Sequence, residues 1–93
     1  MIKLAERNCG MNYEIAAFFK FKADEVFESA MKTLKPLGVK EVKVEVEARE
    51  ENDGGPYGSL NNAPHFYMVV YASGTIPDGL KEGCQEMIDA IEL

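Results

Sequence analysis

The chain has 93 residues, of which 46% are hydrophobic and 28% charged, and this composition predicts one folded α+β domain over residues 1–93. Its net charge of −6 comes without any cluster of lysine and arginine, so we expect neither direct nucleic-acid binding nor binding to a membrane surface. No apolar run has the length of a signal peptide or of a membrane span, which favours a cytoplasmic protein.

The first 22 residues predict two short strands joined by a turn. Residues 2–6 alternate apolar and polar side chains, and the Asn-Cys-Gly sequence at residues 8–10 is typical of a turn. Residues 13–22 alternate more strongly and predict a strand, with Phe18 on its outer face. Its inner face would carry Ile15, Ala17, Phe19 and Phe21.

A helix is predicted over residues 23–38. Asp24 is suited to cap its first turn, and Pro36 with Gly38 would end it. Apolar residues recur at helical spacing and would form one buried stripe: Val26, Phe27, Ala30, Met31 and Leu34.

Two further strands and a second helix follow. Residues 39–50 alternate valine with charged residues, and a charged outer row is typical of a protected edge strand. Residues 65–73 are apolar or aromatic on both faces, which favours an interior strand. The C-terminal helix has an apolar stripe of Leu80, Cys84, Met87, Ile88 and Ile91.

The predicted order is therefore β-β-α-β-β-α, in an antiparallel-rich, four-stranded sheet with both helices on one face. Without its first strand, this order is similar to the ferredoxin-like split β-α-β arrangement lacking its last strand. In that arrangement the strand at 13–22 would lie in the centre of the sheet, parallel to the strand at 65–73. A hairpin from residues 2–6 would fill the vacant place beside it. The resemblance is one of topology and implies no function, because this fold hosts many.

The sheet face opposite the helices is the predicted binding surface. With both helices on one face, aromatic and apolar side chains are left on the other, and such patches usually mark contact surfaces. The loop at 51–64 lacks the residues of phosphate-binding and calcium-binding loops, but its Tyr, Ser, Asn and Gly content is typical of adaptable contact loops. The candidate binding residues are Phe18, Tyr57, His65, Tyr67, Val69 and Tyr71.

Cysteine and histidine offer little chemistry. His65 is the only histidine, and its spacing to Cys9 and Cys84 matches no metal motif, so we expect no metal, no cofactor and no catalytic residue. Cys84 lies on an apolar stripe and is expected to be buried, whereas Cys9 lies in a polar turn and is expected to be the more exposed thiol. Two separate reduced thiols are favoured over a bridge.

These observations favour a small non-enzymatic binding or assembly domain that uses the aromatic sheet face and the 51–64 loop for protein contacts or self-association. One alternative is a small enzyme or ligand-binding protein of the dimeric α/β-barrel type. In it His65, Tyr67 and Tyr71 would face a pocket for a small molecule. Another is an acidic inhibitor that imitates nucleic acid, with Glu82 and Glu86 of the last helix in its acidic surface.

Overall fold

The computed structural model describes residues 1–50 and 64–92, and the elements follow the order β-α-β-β-α. They are β1 (Ile2–Asn8), α1 (Tyr13–Leu34), a 3-10 turn (Lys35–Leu37), β2 (Val39–Glu50), β3 (Pro64–Gly74) and α2 (Leu80–Asp89). No helix in the described part of the chain has the length and apolarity needed to cross a bilayer.

The predicted four-stranded sheet and its β-β-α-β-β-α order are wrong. Within the described residues the sheet has three strands in the order β1-β3-β2, and β3 pairs antiparallel with both neighbours. The segment predicted as a strand over residues 13–22 is the first half of α1. The turn at residues 8–10 therefore leads from β1 into a helix and not into a second strand.

The burial pattern explains why residues 13–22 are helical. Asn12 caps α1, because its side-chain oxygen accepts a hydrogen bond from the Glu14 backbone N–H at 2.7 Å. Ala16, Phe19, Ala23, Val26, Ala30 and Leu34 are buried, a spacing of three and four residues. The alternating pattern would instead bury Ala17 and Phe21, and both are exposed.

The sheet buries one face against the helices. Residues of both helices join one core cluster with Phe66, Met68, Val70 and Ala72 of β3. Because side chains alternate along a strand, the neighbouring residues His65, Tyr67, Val69 and Tyr71 project from the other face. We call this second side the open face, and no helix among the described residues packs against it.

Polar contacts hold α2 beside β1. The Gln85 side chain accepts a hydrogen bond from the Glu6 backbone N–H at 3.2 Å and donates one to the Glu6 carbonyl at 2.8 Å. The Arg7 guanidinium donates to the carbonyls of Ile88 and Ile91, which satisfies backbone oxygens at the end of α2. The outer edge of β1 is thus partly closed by a side chain of α2.

Candidate functional site

The open face is built from alternate residues of three strands. Residues directly opposite each other in the sheet project to the same side. The pairing register therefore shows which residues of β1 and β2 lie on the open face. The face carries Lys3, Glu6 and Asn8 of β1; His65, Tyr67, Val69, Tyr71 and Ser73 of β3; and Glu41, Lys43, Glu45, Glu47 and Arg49 of β2.

An aromatic stripe runs along the centre of this face. Val69 is fully buried, and the tyrosines two residues to either side of it, Tyr67 and Tyr71, are half-buried. The Arg49 guanidinium carbon lies 4.5 Å from the Tyr67 ring centroid, and the Lys43 ammonium lies 6.0 Å from that of Tyr71. Cations held over the ring faces leave the tyrosines partly covered.

A chain of polar contacts joins all three strands across the stripe. Arg49 of β2 donates to Glu6 of β1 at 3.0 Å and to Glu47 at 3.2 Å. The Tyr71 hydroxyl of β3 donates to the other oxygen of Glu47, and Lys3 donates to Glu6 at 3.2 Å. These side chains are about one-third exposed or more, so each ion pair is worth about 0–1 kcal/mol. The contacts therefore orient the face more than they stabilise the fold.

The same contacts shift the pKa values of the groups they join. The hydrogen bond from Tyr71, helped by Arg49, lowers the pKa of Glu47. Partial burial acts to raise the pKa of Glu6, but hydrogen bonds from Lys3 and Arg49 outweigh it and lower that pKa. The hydrogen bond to Glu47 raises the pKa of Tyr71, because the neutral hydroxyl is the donor.

Replacing Tyr71 by phenylalanine tests this arrangement through pH. The folded-state pKa of Tyr71 lies above its ordinary value of 10.0, so the contribution of its hydroxyl to stability is complete below pH 10 and is lost as the pH rises through the folded pKa. We expect Tyr71→Phe to be less stable than the wild type by about 0.5–1 kcal/mol at pH 8. Urea unfolding from pH 8 to 11 should show this difference shrinking above pH 10. A difference that stays constant to pH 11 would mean that the hydroxyl makes no such contact.

The structure places the predicted binding residues in three different settings. His65, Tyr67, Val69 and Tyr71 share the open face. Tyr57 lies outside the described residues, as does the 51–64 loop except for Pro64, which begins β3.

Phe18 is not on the open face. It is in α1, half-buried against the core, with its ring edge-on to Phe19 at 5.6 Å and the Lys22 ammonium 5.6 Å from its centroid. The prediction for Phe18 is wrong because residues 13–22, which were expected to form a strand beside that of Tyr67, are helical.

Sequence reasoning missed Glu6 as a member of the site. A β-bulge between Lys3 and Ala5 breaks the alternation of β1, so that Leu4 and Ala5 are both buried and Glu6 projects from the open face beside Val69. The only signal in the sequence was a short run of weak alternation. The contact between Glu6 and Arg49 depends on the pairing of distant segments through β3, which spacing alone does not reveal.

Neither cysteine is placed for surface chemistry. Cys84 is buried, as expected, but Cys9 is also buried, which corrects the expectation that its turn would expose it. The Cys9 N–H donates to the Phe66 carbonyl and the Gly10 carbonyl accepts from the Phe66 N–H, so this segment continues the pairing of β1 with β3. Burial raises the pKa of both thiols. The described residues contain no cluster of His, Cys, Asp and Glu suited to a metal.

An apolar cleft of about 170 Å³ lies between the two helices, away from the open face. Ala30, Thr33 and Leu34 of α1 line one side, and α2 lines the other with residues that include Cys84 and Met87. The cleft presents no charged side chain. It is thus distinct from the surface that carries the tyrosines.

The acidic residues fall on two separate sides of the molecule. Glu45 and Glu47 belong to the open face, whereas Glu82 and Glu86 are on α2, which packs on the opposite face of the sheet. A single continuous acidic surface would have to join both groups, and the sheet separates them.

Comparison with known proteins adds no family to this description. No protein-family model, no curated protein and no solved structure matches the chain. The candidate site therefore rests on the geometry of the open face alone.

Proposed function

We propose that the protein is a small non-catalytic binding domain that contacts a protein partner through its open face. The observation that carries the proposal is the layout of that face: the half-buried Tyr67 and Tyr71, on either side of the buried Val69, lie between two charged rows on β1 and β2. Protein interfaces share this layout, with an apolar, aromatic centre and a polar rim. Tyrosine and arginine are also the residue types most often found at the energetic centre of such contacts.

The charges of the face indicate the character of the partner. Three basic residues (Lys3, Lys43 and Arg49) stand against four acidic ones (Glu6, Glu41, Glu45 and Glu47), so the face is nearly neutral although the chain carries −6. A partner with a strongly basic or strongly acidic surface would gain little electrostatic attraction from a nearly neutral face. A protein surface with an apolar centre and both signs of charge at its rim would fit better.

The two alternative functions have less support. For an enzyme pocket, the polar groups should be free to act on a ligand, but Tyr71 donates to Glu47 and Arg49 is bonded to two carboxylates. For imitation of nucleic acid, the acidic groups should form one surface, and those of β2 and α2 lie on opposite sides of the sheet.

A matched pair of variants tests the proposal. Tyr67→Glu puts a charge in the centre of the open face, and Phe21→Glu makes the same change on the exposed outer side of α1, where Phe21 is 67% exposed. Tagged wild-type and variant proteins are used to capture proteins from the host. The captured protein is then purified and its affinity for each variant is measured by calorimetry. We expect Phe21→Glu to bind like the wild type and Tyr67→Glu to bind at least about ten-fold more weakly.

Circular dichroism and thermal unfolding of both variants separate lost binding from lost folding. Equal affinity of all three folded proteins for the captured protein would contradict the proposal, because the open face would then take no part in the contact.

A further inference from the structure

The outer edge of β2 differs from the outer edge of β1. Gln85 covers part of the edge of β1, whereas no strand among the described residues pairs with the outer side of β2. β2 is also longer, with 12 residues against 7 in β1. The unpaired N–H and C=O groups of such an edge are a template for one more strand.

We propose that two copies of the chain pair antiparallel along β2, about a two-fold axis that passes beside Glu45. In this register Lys43 lies opposite Glu47 of the second copy, and Glu41 lies opposite Arg49. Symmetry repeats both oppositions, so four pairs of opposite charge flank a single pair of like charge, Glu45 with its own copy. Cross-strand pairs of opposite charge stabilise a sheet and like charges destabilise it.

Neighbouring registers lack this complementarity. Sliding the second copy by two residues in one direction puts Lys43 opposite Arg49 and Glu45 opposite Glu47. Sliding it in the other direction puts Lys43 opposite Glu45 but also Glu41 opposite Glu47, so two pairs of opposite charge are offset by two pairs of like charge. The charged row of β2 therefore disfavours pairing with most other strands. It favours one register, in which two copies of β2 are complementary to each other.

The helix side of β2 is compatible with the same register. Val44 lies opposite Val46 of the second copy, and Val42 lies opposite Ala48. In the single chain Val44 and Val46 are half-buried and Ala48 is exposed. Pairing covers these side chains with apolar neighbours.

One flank of α1 lies on the same side of the molecule as the outer edge of β2. Ala30, Thr33 and Leu34 line the cleft toward α2. At about 100° per residue, Phe27 lies close to Leu34 but about 120° around α1 from Thr33, and Met31 lies about 160° from Thr33, so both are on the flank opposite Thr33. Phe27 is 39% exposed although it is in a helix that packs against β2. In the pair, this flank turns toward the second copy's α1.

Pairing at β2 also enlarges the open face. A two-fold axis perpendicular to the sheet keeps both open faces on the same side and gives a continuous six-stranded sheet. One three-stranded face is about 14 Å wide and 27 Å long, roughly 400 Å². Two of them approach the area of about 800 Å² that a standard interface takes from each partner. The pairing of two β2 edges does not depend on the proposed function, because it uses the outer edge of β2 and not the contact of a partner with the open face.

Cysteine cross-linking tests the register. In Glu45→Cys the two introduced thiols face each other across the axis, within disulfide reach. In Lys43→Cys they are separated by four residues along the strand, about 13 Å, which no disulfide spans. The native Cys9 and Cys84 are buried, so the wild type is the background control. Under mild oxidation we expect a covalent dimer as the main product from Glu45→Cys only. A yield no higher than that of the wild type, or equal yields from both variants, overturns the proposal.

Charge exchange tests the pairing without cross-linking. Lys43→Glu and Glu47→Lys each bring like charges together in their own homodimers, so the dissociation constant measured by analytical ultracentrifugation should rise about ten-fold. A one-to-one mixture of the two restores both oppositions and should regain the wild-type value. If the mixture is as monomeric as its folded components, the proposal fails.

The edge and the open face are distinguished by Tyr67→Glu, which should leave the cross-linking yield and the dimer unchanged. Loss of the dimer in this variant would place the contact on the open face and overturn pairing at β2. Should Glu47→Lys fail to fold, because Glu47 bonds Arg49 and Tyr71, the cysteine variants decide alone.

Discussion

Replacing Phe19 by alanine is expected to lower the free energy of unfolding by about 3–5 kcal/mol. Phe19 is 1% exposed and is among the largest fully buried side chains of the core. Its ring also lies 4.9 Å from the Arg7 guanidinium carbon and edge-on to Phe18. Removing the ring leaves a cavity among residues of α1, β1 and β3, which cannot all move inward to fill it. Urea denaturation followed by circular dichroism measures the change.

Phe21→Ala is the matched control, and it separates the two descriptions of residues 13–22. In α1 Phe21 points to solvent and is 67% exposed, so we expect a change within about 0.5 kcal/mol. In a strand, Phe21 would share the buried face with Phe19, and both substitutions would cost several kcal/mol. Equal, large losses from the two variants would contradict the helix.

Gly74→Ala is expected to destabilise the protein by more than about 2 kcal/mol, for a backbone reason. Gly74 ends β3 with φ of +99°, a conformation that residues with a side chain rarely adopt. An added Cβ would also lie 2.7 Å from the Lys40 N atom and 2.8 Å from the Gly38 carbonyl oxygen. Both are backbone atoms, one just before β2 and one in its second residue, so relief requires the backbone itself to shift.

Gly10→Ala provides the comparison for Gly74. Gly10 also has a positive φ, +80°, but beyond Gly10 and its two chain neighbours no atom of the described residues lies within 4 Å of the position of its Cβ. Gly10→Ala should lower the free energy of unfolding only by the cost of holding alanine at a positive φ, about 1–2 kcal/mol. If thermal unfolding shows equal losses for the two alanine variants, the close approach of β3 to the start of β2 is not as described.

The sequence predicted most of the second half of the fold because two signals there are unambiguous. β2 alternates valine and charge over its whole length, and β3 has apolar residues on both faces, as an interior strand should. Among the described strands, β2 lies at the edge of the sheet and β3 is central.

Residues 2–6 and most of 23–38 were predicted correctly as a strand and a helix, but residues 13–22 were predicted wrongly as a strand because their pattern has two interpretations. Ile15 and Phe19 are four residues apart, a spacing that lies on one face of a helix and equally on one face of a strand. The decisive residues are Ala16, which is buried, and Ala17, which is exposed. Alanine is too small for either to carry a strong hydropathy signal. Asn12, as a cap, was the better indication of where α1 begins.

The sequence predicted residues of the candidate site only where the alternation of side chains along a strand decides which face of the sheet each one occupies. The alternation of β3 places Tyr67 and Tyr71 on one face, but it does not reveal that Arg49 covers Tyr67 or that Glu47 accepts a hydrogen bond from Tyr71. Those contacts depend on the register between strands and on rotamers. The site is consequently more polar than a stripe of exposed aromatics would suggest.

Site-specific photo-cross-linking tests the central claim, contact through the open face, most directly. A photoreactive phenylalanine analogue is introduced in place of Tyr67 on the open face, and in a second protein in place of the exposed Phe21 on α1. We predict that irradiation in the host links one protein partner to the chain labelled at position 67 and not to the chain labelled at position 21. The same adducts from both positions, or adducts from position 21 alone, would contradict the claim.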